Sequence, residues 1–576
     1  MARVMKDSRR LPGPNIVWPR PSAVMDVAWD DAEAPRALAA WRARARQMLD
    51  AVGWQREEAA ARLFPGGASL VLSAPQDALY SATEVNEWAW AAAGADLDGR
   101  TPDEPMEAAA ARLRARIASE SNPRLMALKA EAERRGVCFI RDDRYVSCGM
   151  GKFSRTWPAG AHPDADAVPW KDLGNIPVGV VTGTNGKSTT TRLLGAMCAG
   201  AGKVGGFTST DFVKVGEETV ETGDWAGPMG ARLILRHRKV EVAILETARG
   251  GMLRRGLGMP WADVACITNV ATDHLGEWGI ADLDQLADVK FIVRNAARRL
   301  VLNAEDEKSL ERAPKCAQPI TWFATRDGIP FLASHAATGG LAVVSDGKTL
   351  LWCDGPRRTA VLPLSDIPIA LGGAARFNVA NAAAAVGVAM GLDLPFDAIR
   401  AGLRAFRSDS TANPGRLNDF DLGGVRALVD FAHNPHGQSA LYEMARALPV
   451  QRRLVMIGHA GDRTDEDIRE VALTAFRAGM DRILIKEQEK HLRGRAPGEI
   501  PGIMREALCA AGCPDDKIGM HPSELDATRA ALEWARPGDL LLVLALAQRE
   551  EVLAYLATVR ASGWQPGQPV PSVPGG

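Results

Sequence analysis

The residues from Pro177 to Gly195, PVGVVTGTNGKSTTTRLLG, carry the densest chemistry in the chain. Gly183, Thr184, Asn185, Gly186, Lys187, Ser188 and Thr189 follow the β-branched run Val178–Val181 and precede a helix-compatible segment. Small residues at such a turn let successive backbone N–H groups face phosphate oxygens, and the positive end of the next helix reinforces them. Lys187 supplies a point charge for the β/γ phosphates, and the Ser188 hydroxyl a ligand for Mg²⁺. The strict pattern Gly-x-x-x-x-Gly-Lys-Ser/Thr is not met, because only two residues separate Gly183 from Gly186. A Gly/Thr-rich turn that binds nothing is the competing reading.

Further polar groups fall directly after apolar runs. In EVAILETARGG, Glu246 ends a strand, where an unpaired carboxylate is costly to bury and suits a Mg²⁺ or water-mediated metal contact. A capping or salt-bridged glutamate is the plainer reading. Arg249 and Arg254 follow, placed to hold phosphate or carboxylate oxygens. In CITNVATDHLG, His274 is a candidate to bind a second Mg²⁺ or to orient water or substrate, against a packed structural histidine. Lys290, on the next helical segment, can pair with a carboxylate; carbamylation would make it an oxygen ligand for metal. Near a domain junction stand Arg416 in NPGR and Asp430, His433 and Asn434 in LVDFAHNPHG. Asp430 is suited to ribose hydroxyls and Arg416 to phosphate, with His433 and Asn434 reaching the same ligand or an interdomain contact. In GHAGDRTDED, Asp462 and Arg463 are candidates for a second substrate or for a solvent-facing turn.

An alternation of strands and helices must position these groups. Candidate strands Val178–Val181, Val240–Leu245, Val264–Thr268 and Arg299–Leu302 predict an α/β unit with a mostly parallel sheet, whose carboxyl-terminal edge gathers Lys187, Glu246 and His274. Residues 320–368 read as a small β insertion or edge region, and residues 372–391 as an Ala-rich helix containing Asn378 and Asn381. A second α/β unit has strands Ala427–Phe431, Arg453–Ile457, Arg482–Lys486 and Asp539–Leu546. The first 165 residues form a separate α+β unit, with helices over 31–61 and 105–135, a strand at Ala68–Ser73 and a hairpin about Arg141-Asp142-Asp143. Pro158 to Asn175 reads as a linker. The expected division is 1–165, 175–406, 407–562 and a disordered tail, 563–576.

With 576 residues the chain is too long for one core. Its 69 basic and 70 acidic residues give no electrostatic case for nucleic acid or an anionic membrane. Eight cysteines in so long a chain make no disulfide framework. The start lacks the apolar core of a secretory signal and no apolar run reaches spanning length, so a cytoplasmic protein is expected.

Taken together, VTGTNGKSTTTRLL, GFTSTD, GDWAGPMGA, ILETARGGMLRRGLG, ITNVATDHLG, VLNAEDE and VDFAHNPHG resemble the Mur ligase family over about residues 175–560. The order of these phrases, and LPGPNIVWPRP near the amino terminus, are similar to cyanophycin synthetases within that family, without the ATP-grasp module. The resemblance implies a central P-loop ATPase domain, a mobile C-terminal α/β domain, ATP and Mg²⁺. It places Thr184 to Thr189 and Asn378, Asn381, Arg416 and Asp430 at the nucleotide. It puts Ser188, Glu246, His274 and Lys290 (the modified-lysine position) at the metal, and Lys187, Glu246, His274 and Lys290 in catalysis. The implied reaction is amide formation between a small or peptide-like carboxylate and an amino acid or related amine, through an acyl phosphate. No nucleic acid or membrane partner is implied, and a homo-oligomer or a partner enzyme stays open. A noncatalytic partner of another ligase and a P-loop ATPase or nucleotide switch are the alternatives.

Overall fold

The structure, a computed structural model, describes residues 3–273 and 275–572. His274 therefore lies outside the described residues.

The first unit is a four-stranded antiparallel sheet of β1 (Val4–Leu11), β2 (Ser22–Ala28), β3 (Ala59–Phe64) and β4 (Gly67–Ser73), in the order β1-β2-β4-β3. Helices α1 (Ala34–Ala51), α2 (Leu79–Leu97) and α3 (Met106–Glu120) cover it, with Trp41 and Trp88 in the shared core. The helix expected over 31–61 stops at Ala51, and β3 begins eight residues later at Ala59. The one expected over 105–135 is broken at Asn122, whose side chain caps α4 (Pro123–Arg134), with Pro123 in its first turn. A three-stranded sheet follows: β5 (Phe139–Arg141), β6 (Tyr145–Cys148) and β7 (Arg155–Pro158). The expected linker is not a free connection, because Val168, Trp170 and Leu173 pack with α4 and this sheet.

Next comes β8 (Val178–Thr182), α5 (Lys187–Gly200), β9 (Gly205–Thr208), β10 (Phe212–Val215), β11 (Glu218–Thr222), α6 (Pro228–Arg236), β12 (Val242–Glu246), α7 (Arg249–Arg255), β13 (Ala262–Ile267), α8 (Leu283–Lys290) and β14 (Ala297–Asn303). Strands β8, β9, β12, β13 and β14 run parallel, and β8 lies between β12 and β13. Apolar side chains cover both faces of the sheet, as a buried parallel sheet requires. Beyond α9 (Glu307–Arg312), the segment expected as a small β insertion or edge region forms the sheet's edge. Strands β15 (Ile320–Phe323), β16 (Leu341–Ser345), β17 (Thr349–Asp354) and β18 (Arg357–Pro363) extend it, and α10 (Pro330–Ala337) connects β15 to β16. Helix α11 (Arg376–Gly391) crosses one face and leads to α12 (Phe396–Ala405).

The last sheet has the order β19-β20-β24-β21-β22-β23. Its elements are β19 (Asn418–Leu422), β20 (Val425–Asp430), α13 (Pro435–Ala447), β21 (Arg453–Ile457), α14 (Asp465–Arg477), β22 (Arg482–Lys486), α15 (Glu499–Ala510), β23 (Ile518–His521), α16 (Glu524–Trp534), β24 (Leu540–Leu544) and α17 (Arg549–Ala561). The segment expected to be disordered folds back up to residue 572: the Trp564 indole N–H reaches Gln568 O and the Tyr555 hydroxyl reaches Pro571 O. Among the described residues, no helix is long and apolar enough to cross a membrane.

Candidate active site

Strand β8 delivers the chain to a turn that only glycine can make twice. Gly183 has φ +143° and Gly186 φ +88°. A Cβ at Gly186 would stand 2.1 Å from Asn381 Oδ1. Asn381 in turn donates to Asn378 Oδ1 at 3.0 Å, and Asn378 to Ile369 O at 2.9 Å. Both asparagines, expected at a nucleotide, buttress the loop from beneath. From β13 the loop is held by Asn269, which accepts the Asn185 N–H at 3.0 Å and donates to Asn185 O at 3.0 Å, and by the Thr268 hydroxyl, which donates to the same carbonyl at 2.6 Å. Thr184 donates its N–H to Asn269 O at 2.9 Å. The Lys187 ammonium folds over the loop and donates to Thr184 O at 2.9 Å.

This loop opens into a cleft of about 1350 Å³. Around it stand Thr184 to Thr189, Glu246, Arg249, Arg254, Lys290, Asn378, Asn381, Arg416, Asp430 and His433, residues spread through both α/β units.

Glu246 is 1% exposed, and neither carboxylate oxygen has a hydrogen-bond partner among the described residues. Burial pushes its pKa up, while Lys187 and Ser188, then Arg192 and Arg416, favour its charge. A buried carboxylate left this way costs several kcal/mol unless a cation meets it. Lys290 is also buried. Burial, aided by Lys187 and Arg249, pulls its pKa to about 7, although Asp273 and Asp306 act the other way. No cluster of three or more His, Cys, Asp or Glu side chains suited to a metal occurs among the described residues. Mg²⁺ does not demand one, since it is commonly held by one or two carboxylates with phosphate and water oxygens. The orphaned Glu246 carboxylate and the Ser188 hydroxyl fit that ion.

The C-terminal unit closes the cleft's other side. Asn185 and Asn434 exchange side-chain amide hydrogen bonds at 3.3 and 3.2 Å, and His436 lies 3.0 Å from Asn185 Nδ2. Asn434 does not line the cleft; its side chain caps α13 at Gly437 N–H and ties that helix to the loop. Asp430 is half-buried and both its oxygens accept backbone N–H groups, of Leu417 and Ala432 at 2.8 Å, so it pins the 415–417 turn. Arg416 lies 4.4 Å over the Phe431 ring. His433 stands 3.7 Å from Asp273. Asp462 and Arg463 are off the cleft wall: Asp462 pairs with Arg493, and Arg463 reaches Glu277 at 3.5 Å, the carboxylate that also holds Arg249.

Sequence reading missed a second contact that spans the two units. Asp211 receives Arg192 on one oxygen and Arg549, at 2.7 Å, on the other. Arg192 also donates to Asn413 Oδ1 at 2.6 Å. Despite burial, Arg192, Arg416 and Arg549 hold the Asp211 carboxyl below its usual range. Its place in GFTSTD, a phrase already singled out, was the one available signal.

Residues 181–389 match the Mur ligase middle domain, and residues 415–545 the Mur ligase, glutamate ligase domain. A cyanophycin synthetase of Trichormus variabilis is 38% identical over 389 residues, covering 67% of this chain and 43% of its own length. One from Synechocystis is 40% identical over 381 residues, covering 64% and 43%. A UDP-N-acetylmuramoyl-L-alanyl-D-glutamate–2,6-diaminopimelate ligase of Geobacter metallireducens is 28% identical over 386 residues, covering 64% and 73%. The chain thus spans less than half the length of those cyanophycin synthetases. Among solved structures, a bifunctional folylpolyglutamate synthase/dihydrofolate synthase from Yersinia pestis overlaps loosely, with TM-score 0.48 and 20% identity over 66% of this chain and 88% of that one.

Proposed function

The chain belongs to the Mur ligase superfamily, and from that premise we propose that it joins a carboxylate to an amine, converting ATP to ADP and phosphate. The observation that carries this reading is the cleft between the two α/β units, where Lys187 and the unsatisfied Glu246 face one volume large enough for a nucleotide and an acceptor.

An acceptor carboxylate oxygen attacks the γ-phosphorus, the bond to the β-phosphate oxygen breaks, and an acyl phosphate and ADP result. The amine then attacks the acyl carbon, loses a proton and expels phosphate, leaving an amide. Lys187 and the N–H groups of Gly186 to Thr189 neutralise charge on the transferred group. Ser188 and Glu246 would hold Mg²⁺, which would supply further neutralisation of the phosphates. Lys290, whose amine is half neutral near pH 7, is the residue poised to take up CO₂ as a carbamate, releasing a proton. Asn378 and Asn381 fix the loop, while Arg416 and Asp430 shape the nucleotide's far side. Arg249 and Arg254 hold the acceptor, with His433 near the amine. The Asn185–Asn434 and Asp211–Arg549 contacts close the units together and exclude water from the acyl phosphate. The acceptor is a small or peptide-like carboxylate, the amine an amino acid or relative, and the setting cytoplasmic.

The test incubates the purified full chain with Mg²⁺-ATP and a panel of carboxylates and amino acids, following ADP and products by mass spectrometry. ADP release that requires an acceptor–amine pair, with an amide of matching mass, is the expected result. ADP release indifferent to both, or ATP bound without turnover across the panel, contradicts the reading in favour of a nucleotide switch or a noncatalytic partner.

A further inference from the structure

Away from the nucleotide, a second cavity of about 410 Å³ lies where β1, the start of α2, the turn after β5, and helices α6 and α7 meet. Its volume is that of a small-molecule pocket. Its wall carries both signs of charge, but the carboxylates are already engaged. Asp143 holds Arg10 at 2.9 and 3.1 Å, and Asp7 holds Arg9 at 2.7 Å. Asp142 takes Arg236 and the N–H groups of Arg144 and Tyr145, and Glu120 takes the N–H groups of Tyr80 and Ser81.

The guanidinium groups are not matched in the same way. Arg141 donates only to Gln76 O, and neither Arg232 nor Arg255 has a carboxylate within ion-pair distance among the described residues. Arg232 is the costliest of them. It is half-buried, makes no hydrogen bond among the described residues, and its Nε is enclosed without an acceptor. Burial lowers its pKa, with Asp142 and Asp143 only partly offsetting this. Desolvating a guanidinium without a partner is strongly unfavourable, and the fork of N–H donors fits a carboxylate or phosphate. The cavity is not isolated, because Arg254 and Arg255 line both it and the nucleotide cleft. Trp278, at their boundary, lies between Arg9 and Arg254, 5.4 and 5.6 Å from its ring.

We propose that this cavity is an acceptor subsite that takes the additional carboxylates of a multiply anionic acceptor, whose reacting carboxylate lies in the adjoining cleft. Calling the ligand an acceptor rests on the ligase reading above; the anion-binding chemistry does not. Arg141 brings the first unit into the site, and Arg232 and Arg255 bring the central one. An acceptor with a single carboxylate leaves the subsite unused.

Calorimetry on the full chain without nucleotide tests this. The probes are acetyl-tetraglutamate, acetyl-tetraglutamine of the same length, and inorganic phosphate. Tetraglutamate is expected to bind at least tenfold more tightly than either other probe, a difference of about 1.4 kcal/mol or more. Arg232→Gln, Arg141→Gln and the exposed Arg255→Gln should each weaken it at least fivefold. Mg²⁺-ATP affinity in the Arg141 and Arg232 variants should stay at the wild-type value, which separates a lost subsite from a lost fold. Equal binding of tetraglutamate and tetraglutamine, phosphate binding as tightly through the same arginines, or wild-type affinity in the Arg255 variant overturns the proposal. Tetraglutamate binding without any ligation contradicts the ligase reading alone, and ligation of monocarboxylates without tetraglutamate binding contradicts the subsite alone.

Discussion

Both α/β units bury a glutamate and a lysine near the carboxyl ends of their parallel strands, yet the two places treat these groups differently. In the C-terminal unit, Lys486 ends β22 and Glu524 opens α16, and the two are paired at 0% and 1% exposure. The Glu524 carboxylate also accepts the N–H groups of Leu546, Ala547 and Gln548. Burial pushes its carboxyl up, but Lys486 and the N–H groups of Leu546 and Gln548 hold it below the ordinary range. In the central unit, among the described residues, neither Glu246 oxygen accepts a hydrogen bond and no carboxylate stands within ion-pair distance of the buried Lys290. The first arrangement is complete within the protein. It fixes the turn that launches α17 and carries Arg549 to Asp211. The second is incomplete, and buried charge left incomplete marks where a ligand supplies the missing partner.

The largest effects should come from exchanging the two glutamates. Glu246→Gln is expected to lower acceptor-dependent ADP release by about a thousandfold while leaving the melting temperature unchanged or raised, because an unpaired buried charge is removed. Glu524→Gln should do the reverse, destabilising the fold by about 3–5 kcal/mol in urea titrations as Lys486 loses its counter-charge. If both variants lost stability equally, the contrast would collapse.

Lys187→Ala comes next, with turnover down by about a hundredfold or more as one charge on the transferred phosphoryl group is lost. Steady-state kinetics checks this, and wild-type turnover would remove Lys187 from the site.

Lys290 sharpens the contrast through pH. Its amine is shifted down from 10.5 to about 7, so it is neutral above that value and protonated below it. CO₂ adds only to the neutral amine. Turnover in CO₂-depleted buffer should therefore recover on adding bicarbonate at pH 8, and recover about tenfold less at pH 6. A bicarbonate response that survives in Lys290→Arg would contradict the assignment.

The smallest effect belongs to the contact between the units. Arg549→Gln leaves Asp211 with Arg192, so turnover should fall by about tenfold, with the melting temperature nearly unchanged. Kinetics together with differential scanning calorimetry separates this from a folding defect.

How much of this was readable from sequence follows the range of the interactions. The phosphate loop is local: glycines, Lys187 and Ser188 within a few residues of an apolar strand, a pattern a linear reading detects. Glu246 was legible because a charge directly after a buried strand is anomalous wherever the strand goes. Asp211 and Arg549 are separated by 338 residues, and neither is unusual in its own neighbourhood. Strand β1 escaped notice because VMKDSRRL is an edge strand rich in charge, with little apolar alternation. Helix α2 is buried nearly all round, so its apolar residues show no one-sided period. The role of Asn434 was half legible: a cap before Pro435 is a local signal, whereas its amide pairing with Asn185 depends on how the two units meet.

The most direct measurement is a Mn²⁺ titration followed by electron paramagnetic resonance, with ATP present, on the wild type and on Glu246→Gln. The unsatisfied carboxylate predicts a tightly held ion in the wild type and at least a tenfold weaker one in the variant, with the folded protein otherwise intact. Equal Mn²⁺ affinity in the two proteins would mean that Glu246 meets no metal, and would contradict the account.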